Sequence, residues 1–340
     1  MIPRLRPALM TISLVLLLAL GGALAQESCS HRGKLDPLYC DENRDLVADP
    51  PKDKTRLVSP DTLVFTYAPV EDPAVYENVW ADFLKHLERV TGKKTKYFGL
   101  QHYAAQIEAM RSGRLQISGF ATGATVYAVN LAGAVPFALM KDAGGGPAGY
   151  HLAVITQARN DKINAVPDLK GKRVAHVSQT SSSGHQAPVY LFSKMGVVPG
   201  KDYQIAFSGK HDTSILGVVN GDYDAAAVAD TVLERMINRG VVKATDVKTV
   251  YRSPVFPTAG FAYAHNLEPG LVEKIKEAFF TFKFEGTSLD KEFGKQGRVG
   301  FMPITYAKTW EPIIGMLEAN KVVFSRESED YKRLQKRGGD

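Results

Sequence analysis

Residues 174–192, which read VAHVSQTSSSGHQAPVYLF, decide the fold of this chain. The stretch begins as a short apolar strand, passes through a turn rich in hydroxyl groups and glycine, and continues in an apolar pattern typical of a helix. The first backbone N–H groups of a helix have no partner within the helix, and the helix dipole adds partial positive charge there. Serine hydroxyls at such a place can donate to an anion without any lysine or arginine. The stretch therefore predicts either an anion-binding turn or an ordinary serine-capped helix.

On both sides of this stretch, short apolar strands alternate with helical patterns from residue 62 to residue 264. This alternation predicts an α/β fold with a mainly parallel sheet. A break at residues 142–147 separates two such units, and the chain later returns to the first unit. We therefore expect two lobes, one made of 61–147 plus 255–325 and the other of 148–254. Ligands bind at the carboxyl ends of strands and in clefts between lobes.

The first 25 residues have the pattern of a signal peptide. Arg4 and Arg6 form a basic start, residues 8–20 are apolar, and Ala23-Leu24-Ala25 fits a cleavage site. The apolar run is too short for a membrane anchor. We expect cleavage after Ala25 and export of the mature chain. The other terminus, 326–340, is a charged tail.

Bulk composition excludes one class of partner. The chain of 340 residues carries a net charge of +6 and has no basic run interleaved with aromatic residues, so we expect no nucleic acid as a partner. A monomer is expected.

Residues 26–60 predict an irregular extension, which contains both cysteines, Cys29 and Cys40. In the oxidising compartment that export implies, a disulfide between them is the default expectation. Two free thiols are less favoured. A zinc site is less favoured still, because His31 is the only histidine nearby.

The same extension contains oxygen-bearing residues at alternate positions, as calcium loops do. The candidate metal ligands are Asp41, Asn43, Asp45, Val47 and Asp49. Leu46 stands where such loops have glycine, and Lys52 stands where a closing glutamate would be. A solvated acidic loop is therefore favoured over a structural calcium site, and no other cofactor is expected.

Four motifs give the chain a specific resemblance over about residues 60–315. They are HYAAQIEAMRSG at 102–113, LKGKRV at 169–174, SSSG at 181–184, and GKHD at 209–212 followed by NGDYDAAAV at 220–228. In this order and at this spacing they resemble the phosphonate, phosphite and phosphate periplasmic binding proteins of ABC importers, the PhnD-like family. The resemblance implies the type II periplasmic-binding-protein fold, with two α/β lobes and a ligand cleft between them.

The resemblance also implies which residues bind the ligand. The serine turn and its first N–H groups match the oxyanion cradle of the family, and His211 and Tyr103 match its ligand-facing histidine and tyrosine. Less firmly aligned positions in the cleft are Thr122 and Tyr150. Asp230 either accepts a hydrogen bond from a protonated ligand or caps a helix beginning at Thr231. The ligand-binding set is thus Tyr103, Thr122, Tyr150, Ser181, Ser182, Ser183, Gly184, His211 and Asp230.

The implied function is capture of a small phosphorus oxyanion in the periplasm for an ABC permease. Asp230 is the only carboxylate in the regions that would hold an ammonium group, which argues against an aminoalkylphosphonate. An alternative is a sensor that presents its oxyanion to a membrane histidine kinase. An enzyme is disfavoured, because Thr180 occupies the first glycine position of the Gly-x-Ser-x-Gly motif. Neither the identity of the oxyanion nor its affinity follows from the sequence.

Overall fold

The computed structural model describes residues 29–325 of the chain. The predicted signal peptide at 1–25 and the charged tail at 326–340 lie outside the described residues. Within residues 29–325, no helix is both long and apolar enough to span a membrane.

The regular elements alternate along the chain, as the sequence predicts. The strands are β1 (Thr62–Tyr67), β2 (Lys94–Tyr97), β3 (Ile117–Phe120), β4 (Ala134–Asp142), β5 (Gly149–Tyr150), β6 (Leu152–Gln157), β7 (Arg173–His176), β8 (Gln204–Phe207), β9 (Ala225–Ala229), β10 (Val247–Arg252), β11 (Phe256–Pro257), β12 (Gly260–Ala264) and β13 (Arg298–Pro303). The helices are α1 (Ala81–Thr91), α2 (Tyr103–Arg111), α3 (Thr122–Ala132), α4 (Ala187–Lys194), α5 (His211–Asn220), α6 (Asp230–Asn238), α7 (Pro269–Thr281), α8 (Ser288–Phe293) and α9 (Tyr306–Ala319).

These strands form two larger sheets, one for each half of a cleft. The first sheet has the order β13-β4-β12-β3-β1-β2, and the second has the order β10-β6-β9-β7-β8. A short antiparallel ribbon of β5 and β11 joins them where the chain crosses from one sheet to the other and returns. Structural similarity reported below confirms the two-lobed fold, whereas the residue bounds of the lobes stay a prediction.

The expectation of mainly parallel sheets is wrong. β1 pairs in parallel with β2 and β3, and β7 pairs in parallel with β8 and β9. The pairings of β12, β4 and β13 in the first sheet, and of β9, β6 and β10 in the second, are antiparallel. Each sheet is therefore mixed, because β12 and β13 run opposite to the other strands of the first sheet, and β6 runs opposite to the other strands of the second.

Helix ends follow local sequence rules with one exception. α5 ends where Gly221 takes a left-handed φ of 86°, the conformation in which glycine commonly ends a helix. Asp72 followed by Pro73 is a typical helix start, yet α1 begins only at Ala81. Pro73–Val75 forms a separate 3-10 turn, in which the Asp72 side chain accepts a hydrogen bond from the N–H of Ala74.

The N-terminal extension packs against the first lobe and is closed by the predicted disulfide between Cys29 and Cys40. In the acidic loop that follows, Asp41 accepts hydrogen bonds from the N–H groups of Asp45 and Leu46. Asp45 in turn accepts one from the N–H of Val47.

The carboxylates of this loop thus hold its backbone in place. Among residues 29–325 no cluster of three or more histidine, cysteine, aspartate or glutamate side chains is arranged to hold a metal ion. Calcium binding by Asp41, Asn43, Asp45, Val47 and Asp49 stays a prediction.

Candidate ligand-binding cleft

A cavity of about 60 Å³ lies between the two sheets. The first lobe contributes Tyr67, Thr122, Met140, Thr258 and Arg298 to its wall, and the second contributes Tyr150, Ser181, Ser182, His211 and Arg235. A single water needs roughly 10–15 Å³ measured in this way. The cavity therefore has room for a ligand of a few heavy atoms.

The serine turn forms part of this wall. Residues Ser182–Gln186 form one π-helical turn that leads directly into α4. Ser181 caps this turn, since its Oγ accepts a hydrogen bond of 3.0 Å from the N–H of Gly184. The hydroxyl oxygens of Ser182 and Ser183 are buried and have no hydrogen-bond partner within the described part of the chain.

The ordinary helix cap is therefore present. Ser181 forms it, and the hydroxyl groups of the next two serines have no partner in the described chain. The N–H of Gly184 is engaged by Ser181 in this structure, and an anion-binding role of the turn stays a prediction. Gly184 instead allows close packing, since a Cβ there would lie 2.5 Å from the Val177 side chain on the preceding strand.

His211 is the first residue of α5 and lines the cavity. Its Nδ1 accepts a hydrogen bond of 3.0 Å from the backbone N–H of Ala229, so the proton of the neutral ring resides on Nε2. Burial lowers the pKa of His211 to about 3. The side chain is thus a neutral hydrogen-bond donor at ordinary pH, rather than the cation that the sequence also allowed.

Two further predicted residues, Thr122 and Tyr150, lie on the cavity wall beside the serine turn. The Thr122 hydroxyl donates to the carbonyl of Pro257 at 2.8 Å, which holds the start of α3 against the crossing ribbon. Burial raises the pKa of Tyr150, while the neighbouring Thr122 and Ser183 lower it to a smaller extent. Tyr150 is therefore a protonated phenol that lies against both lobes.

Tyr103 is not among the residues that line this cavity. It begins α2 and lines an adjoining cavity of about 240 Å³ with Ser178 and Ser208. Its hydroxyl is buried and has no partner within residues 29–325. Burial also raises the pKa of the Tyr103 phenol, which keeps it protonated.

Asp230 does not lie on the cavity wall. One carboxylate oxygen accepts a hydrogen bond of 2.9 Å from the N–H of His151, and the other pairs with Arg252 at 2.7 Å. Asp230 is itself the first residue of α6, so it does not cap a helix beginning at Thr231. Its carboxylate joins two segments of the second lobe.

Sequence reasoning missed several polar groups of the wall, among them Thr258, Arg235 and Arg298. Thr258 follows the ribbon directly, and its buried hydroxyl has no partner among the described residues. Arg235 and Arg298 also line the cavity. A basic residue at the start of an apolar strand was the available signal for Arg298, whereas nothing near Arg235 in sequence points to its partner, Glu71.

Arg235 joins the two lobes through a buried ion-pair network. Its Nη2 lies 2.8 Å from Oε2 of Glu71, which follows β1 in the other lobe, and it also contacts the hydroxyl of Tyr76. Arg239 pairs with the same glutamate and with Glu292. Burial alone would raise the pKa of Glu71, but the two arginines and Tyr76 lower it overall.

The lobes also approach each other at a glycine. Gly123 lies in the first turn of α3, and a Cβ added there would lie 2.2 Å from the carbonyl oxygen of Thr180 and 3.0 Å from the N–H nitrogen of Ser182. Only glycine allows the helix to approach the serine turn this closely. This contact sets the width of the cavity.

A pair of mixed sheets, joined by two crossings and enclosing a cleft lined by hydroxyl groups, defines the class of two-lobed periplasmic binding proteins. In solved structures, the chain is similar to the binding-protein component of an ABC phosphonate transporter from Pseudomonas aeruginosa, with a TM-score of 0.69, 23% identity, and coverage of 81% of this chain and 97% of the other. It is similar to the same degree, TM-score 0.69 at 20% identity, to PhnD1 from Prochlorococcus marinus in complex with methylphosphonate, covering 78% of this chain and all of that one.

Sequence comparison identifies the family. A family model described as the phosphonate ABC transporter periplasmic substrate-binding protein matches residues 65–309. The chain is 33% identical over 242 residues to the phosphate-import protein PhnD of Mycolicibacterium smegmatis, covering 68% of this chain and 75% of that protein. It is 26% identical over 207 residues to the phosphonates-binding periplasmic protein of Escherichia coli, covering 60% and 61%. The chain belongs to this family of periplasmic substrate-binding proteins of ABC transporters.

Proposed function

We propose that this protein binds a small phosphorus oxyanion, namely phosphite, phosphate or a small phosphonate, in the interlobe cleft and delivers it to an ABC permease. One observation carries the proposal. The cleft wall contains buried hydroxyl groups with no partner in the described chain, at Ser182 and Thr258, and the neutral donor His211 lies on the same wall.

Unpaired buried hydroxyl groups are costly, at roughly 1–3 kcal/mol each. A tetrahedral oxyanion relieves that cost, because it carries several acceptor oxygens and each can accept from a different wall of the cavity. The relatives point in the same direction: one is named for phosphate import, one for phosphonate binding, and one solved structure contains methylphosphonate.

The wall also bears on which phosphonates bind. None of the residues that line the cavity in the described chain is an aspartate or a glutamate. Asp230, the carboxylate that the sequence offered for an ammonium group, is engaged with His151 and Arg252. We therefore propose that alkylphosphonates bind and that aminoalkylphosphonates are disfavoured.

Isothermal titration calorimetry tests this proposal on the mature protein with phosphite, phosphate, methylphosphonate and ethylphosphonate. The matched control is 2-aminoethylphosphonate, which differs from ethylphosphonate by the ammonium group. We expect saturable binding of at least one of the first four, and at least tenfold weaker binding of 2-aminoethylphosphonate than of ethylphosphonate. Absence of heat with all four simple oxyanions would contradict the proposed ligand class.

The remaining proposals concern the cleavage of the signal peptide, the oligomeric state and the catalytic activity of the protein. We propose cleavage after Ala25, a monomeric mature chain and no catalytic activity. These are tested by the intact mass of the exported protein, by light scattering and by a chromogenic phosphoester assay. The comparisons give no support to the alternative of a sensor for a histidine kinase, whereas the family is one of transporter components.

A further inference from the structure

Arg298 carries a positive charge on the cavity wall and has no ion-pair partner among the described residues. It is the first residue of β13, its side chain is only 9% exposed, and its Nη2 donates a hydrogen bond of 2.6 Å to the carbonyl of Gly149. No carboxylate of the described residues forms an ion pair with it. A guanidinium has five N–H groups, so most of its donors remain for another partner.

Arg235, the other arginine on the cavity wall, does have ion-pair partners. Arg235 and Arg239 supply two positive charges, and Glu71 and Glu292 supply two negative charges within one network. That network is balanced by itself. Arg298 is therefore the arginine of the cavity wall without a direct ion pair, since Asp142 and Glu234 act on it only from a greater distance, and a buried charge without a direct partner favours an anionic ligand.

The rest of the wall contains neutral groups that can donate to a ligand oxygen. Ser182, Thr258 and Tyr150 present hydroxyl groups, and the free ring nitrogen of His211 carries a proton. A P–OH group of a singly ionised ligand needs an acceptor, and a carboxylate would be the strongest one. The described cavity wall supplies none.

We propose that the cleft selects the doubly ionised form of its ligand, with Arg298 as the residue that determines this preference. The inference rests on the proposed function, because it concerns the ionisation state of the phosphorus oxyanion bound there. It identifies the substrate class as dianions such as phosphite, hydrogen phosphate and alkylphosphonates, as opposed to monoanions such as phosphinates.

The change of the Kd with pH should then follow the second ionisation of the ligand and not the ionisation of a protein group. The ionisable groups that act on Arg298 are the phenol of Tyr67, the carboxyls of Asp142 and Glu234, and the guanidinium of Arg235. His211 also faces the cavity, and burial holds its pKa at about 3.

The test compares methylphosphonate with dimethylphosphinate, in which a methyl group replaces one ionised oxygen at nearly the same size. Calorimetric titration at about pH 8.5 should give at least tenfold tighter binding of methylphosphonate. As pH falls below the second pKa of methylphosphonate, its Kd should rise about tenfold per pH unit. The Kd of dimethylphosphinate should stay constant over the same range.

Substitutions of Arg298 test whether this residue causes the preference for methylphosphonate over dimethylphosphinate. Arg298→Met should bring the two ligands to within about threefold of each other, whereas Arg298→Lys should keep most of the preference because it keeps the charge. The matched control is Arg252→Met, since that guanidinium is 62% exposed and pairs with Asp230 away from the cavity. It should bind as the wild type does, and thermal melting of each variant checks folding.

The possible outcomes distinguish failure of the proposed function from failure of the proposed preference for dianions. If the wild-type protein binds neither ligand nor any of the simple oxyanions, the proposed function fails, and this inference fails with it. If both ligands bind with equal Kd, the proposed function stands and the preference for dianions is refuted. If Arg298→Met keeps the tenfold preference while remaining folded, Arg298 is not its source.

Discussion

Replacing Gly123 by alanine should prevent ligand binding without unfolding either lobe. The added Cβ would lie 2.2 Å from the carbonyl oxygen of Thr180, although Cβ atoms essentially never come closer than 3.0 Å to another heavy atom. The contact between α3 and the serine turn therefore has to widen by about 0.8 Å, the difference between these two distances. Because the two surfaces belong to different lobes, opening of the cleft relieves the overlap.

The size of the effect follows from the cost of overpacking, which is typically about 1–3 kcal/mol. If that cost falls on the closed cleft alone, the Kd for methylphosphonate rises by about 5- to 150-fold. Calorimetric titration measures this rise. Thermal melting of the ligand-free protein should change little, because the core of each lobe is untouched.

Gly315→Ala is the matched control. Gly315 lies within α9 on the exposed face, and a Cβ added there has no heavy atom within 4 Å outside the helix itself. Alanine at this helical position should stabilise the protein by about 1 kcal/mol and leave the Kd unchanged. A wild-type Kd for Gly123→Ala would refute the idea that α3 and the serine turn meet when ligand is bound.

Three further predictions concern other parts of the cleft. Ser182→Ala removes one donor to an anionic oxygen, so the Kd should rise about 10- to 150-fold, while stability should not fall because the hydroxyl has no protein partner. Glu71→Gln leaves the buried Arg235 and the partly exposed Arg239 poorly compensated and should destabilise the protein by about 3–5 kcal/mol in a denaturant titration. Stability should also fall as pH decreases from about 6.5, because burial lowers the pKa of His211 to about 3 and that of His185 to about 4.

The sign of the pH effect follows from linkage. Between these low pKa values and the usual value of 6.5, the unfolded chain binds protons that the folded chain does not, so stability is lost as pH falls. Each histidine contributes a slope of up to about 1.4 kcal/mol per pH unit. Thermal melting between pH 5.0 and 7.5 measures it, and His211→Gln should make the slope shallower. A melting temperature that is constant over this range would contradict the prediction.

The controls for the two substitutions lie on the surface. Ser193→Ala removes an exposed hydroxyl of α4 that donates only to the carbonyl of Val189, and the Kd should not change. Glu273→Gln breaks an exposed pair with Lys276, which is worth no more than about 1 kcal/mol. If Ser182→Ala binds as tightly as Ser193→Ala, the serine does not contact the ligand. A loss for Glu71→Gln no larger than for Glu273→Gln would mean that the ion pair between the lobes contributes little.

The sequence predicted those elements whose signals are local. α5 occupies the predicted residues because Gly221 follows it with a left-handed φ, and β9 is a continuous apolar run between polar residues. α3 and β4 were not predicted. Every residue of α3 is buried, so its sequence lacks the alternation of apolar and polar faces that marks a helix.

The same distinction between local and long-range signals applies to the site. The serine turn and His211 were predicted, because each begins a helix directly after a strand or turn. The partnership of Arg235 with Glu71 was not predictable, since 164 positions separate the two residues and only the closed arrangement of the lobes brings them together. The ion pair of Asp230 with Arg252 is likewise not visible in a local pattern, because 22 positions separate the two residues.

The central claim is that the unpaired hydroxyl groups of the cleft hold a tetrahedral oxyanion. A crystal structure of the protein with methylphosphonate tests it most directly. We expect the phosphorus between the lobes, with oxygens at hydrogen-bonding distance, about 2.5–3.2 Å, from Oγ of Ser182 and Ser183 and from Nε2 of His211. Methylphosphonate bound elsewhere, or bound in the cleft without contact to these three groups, would contradict the claim.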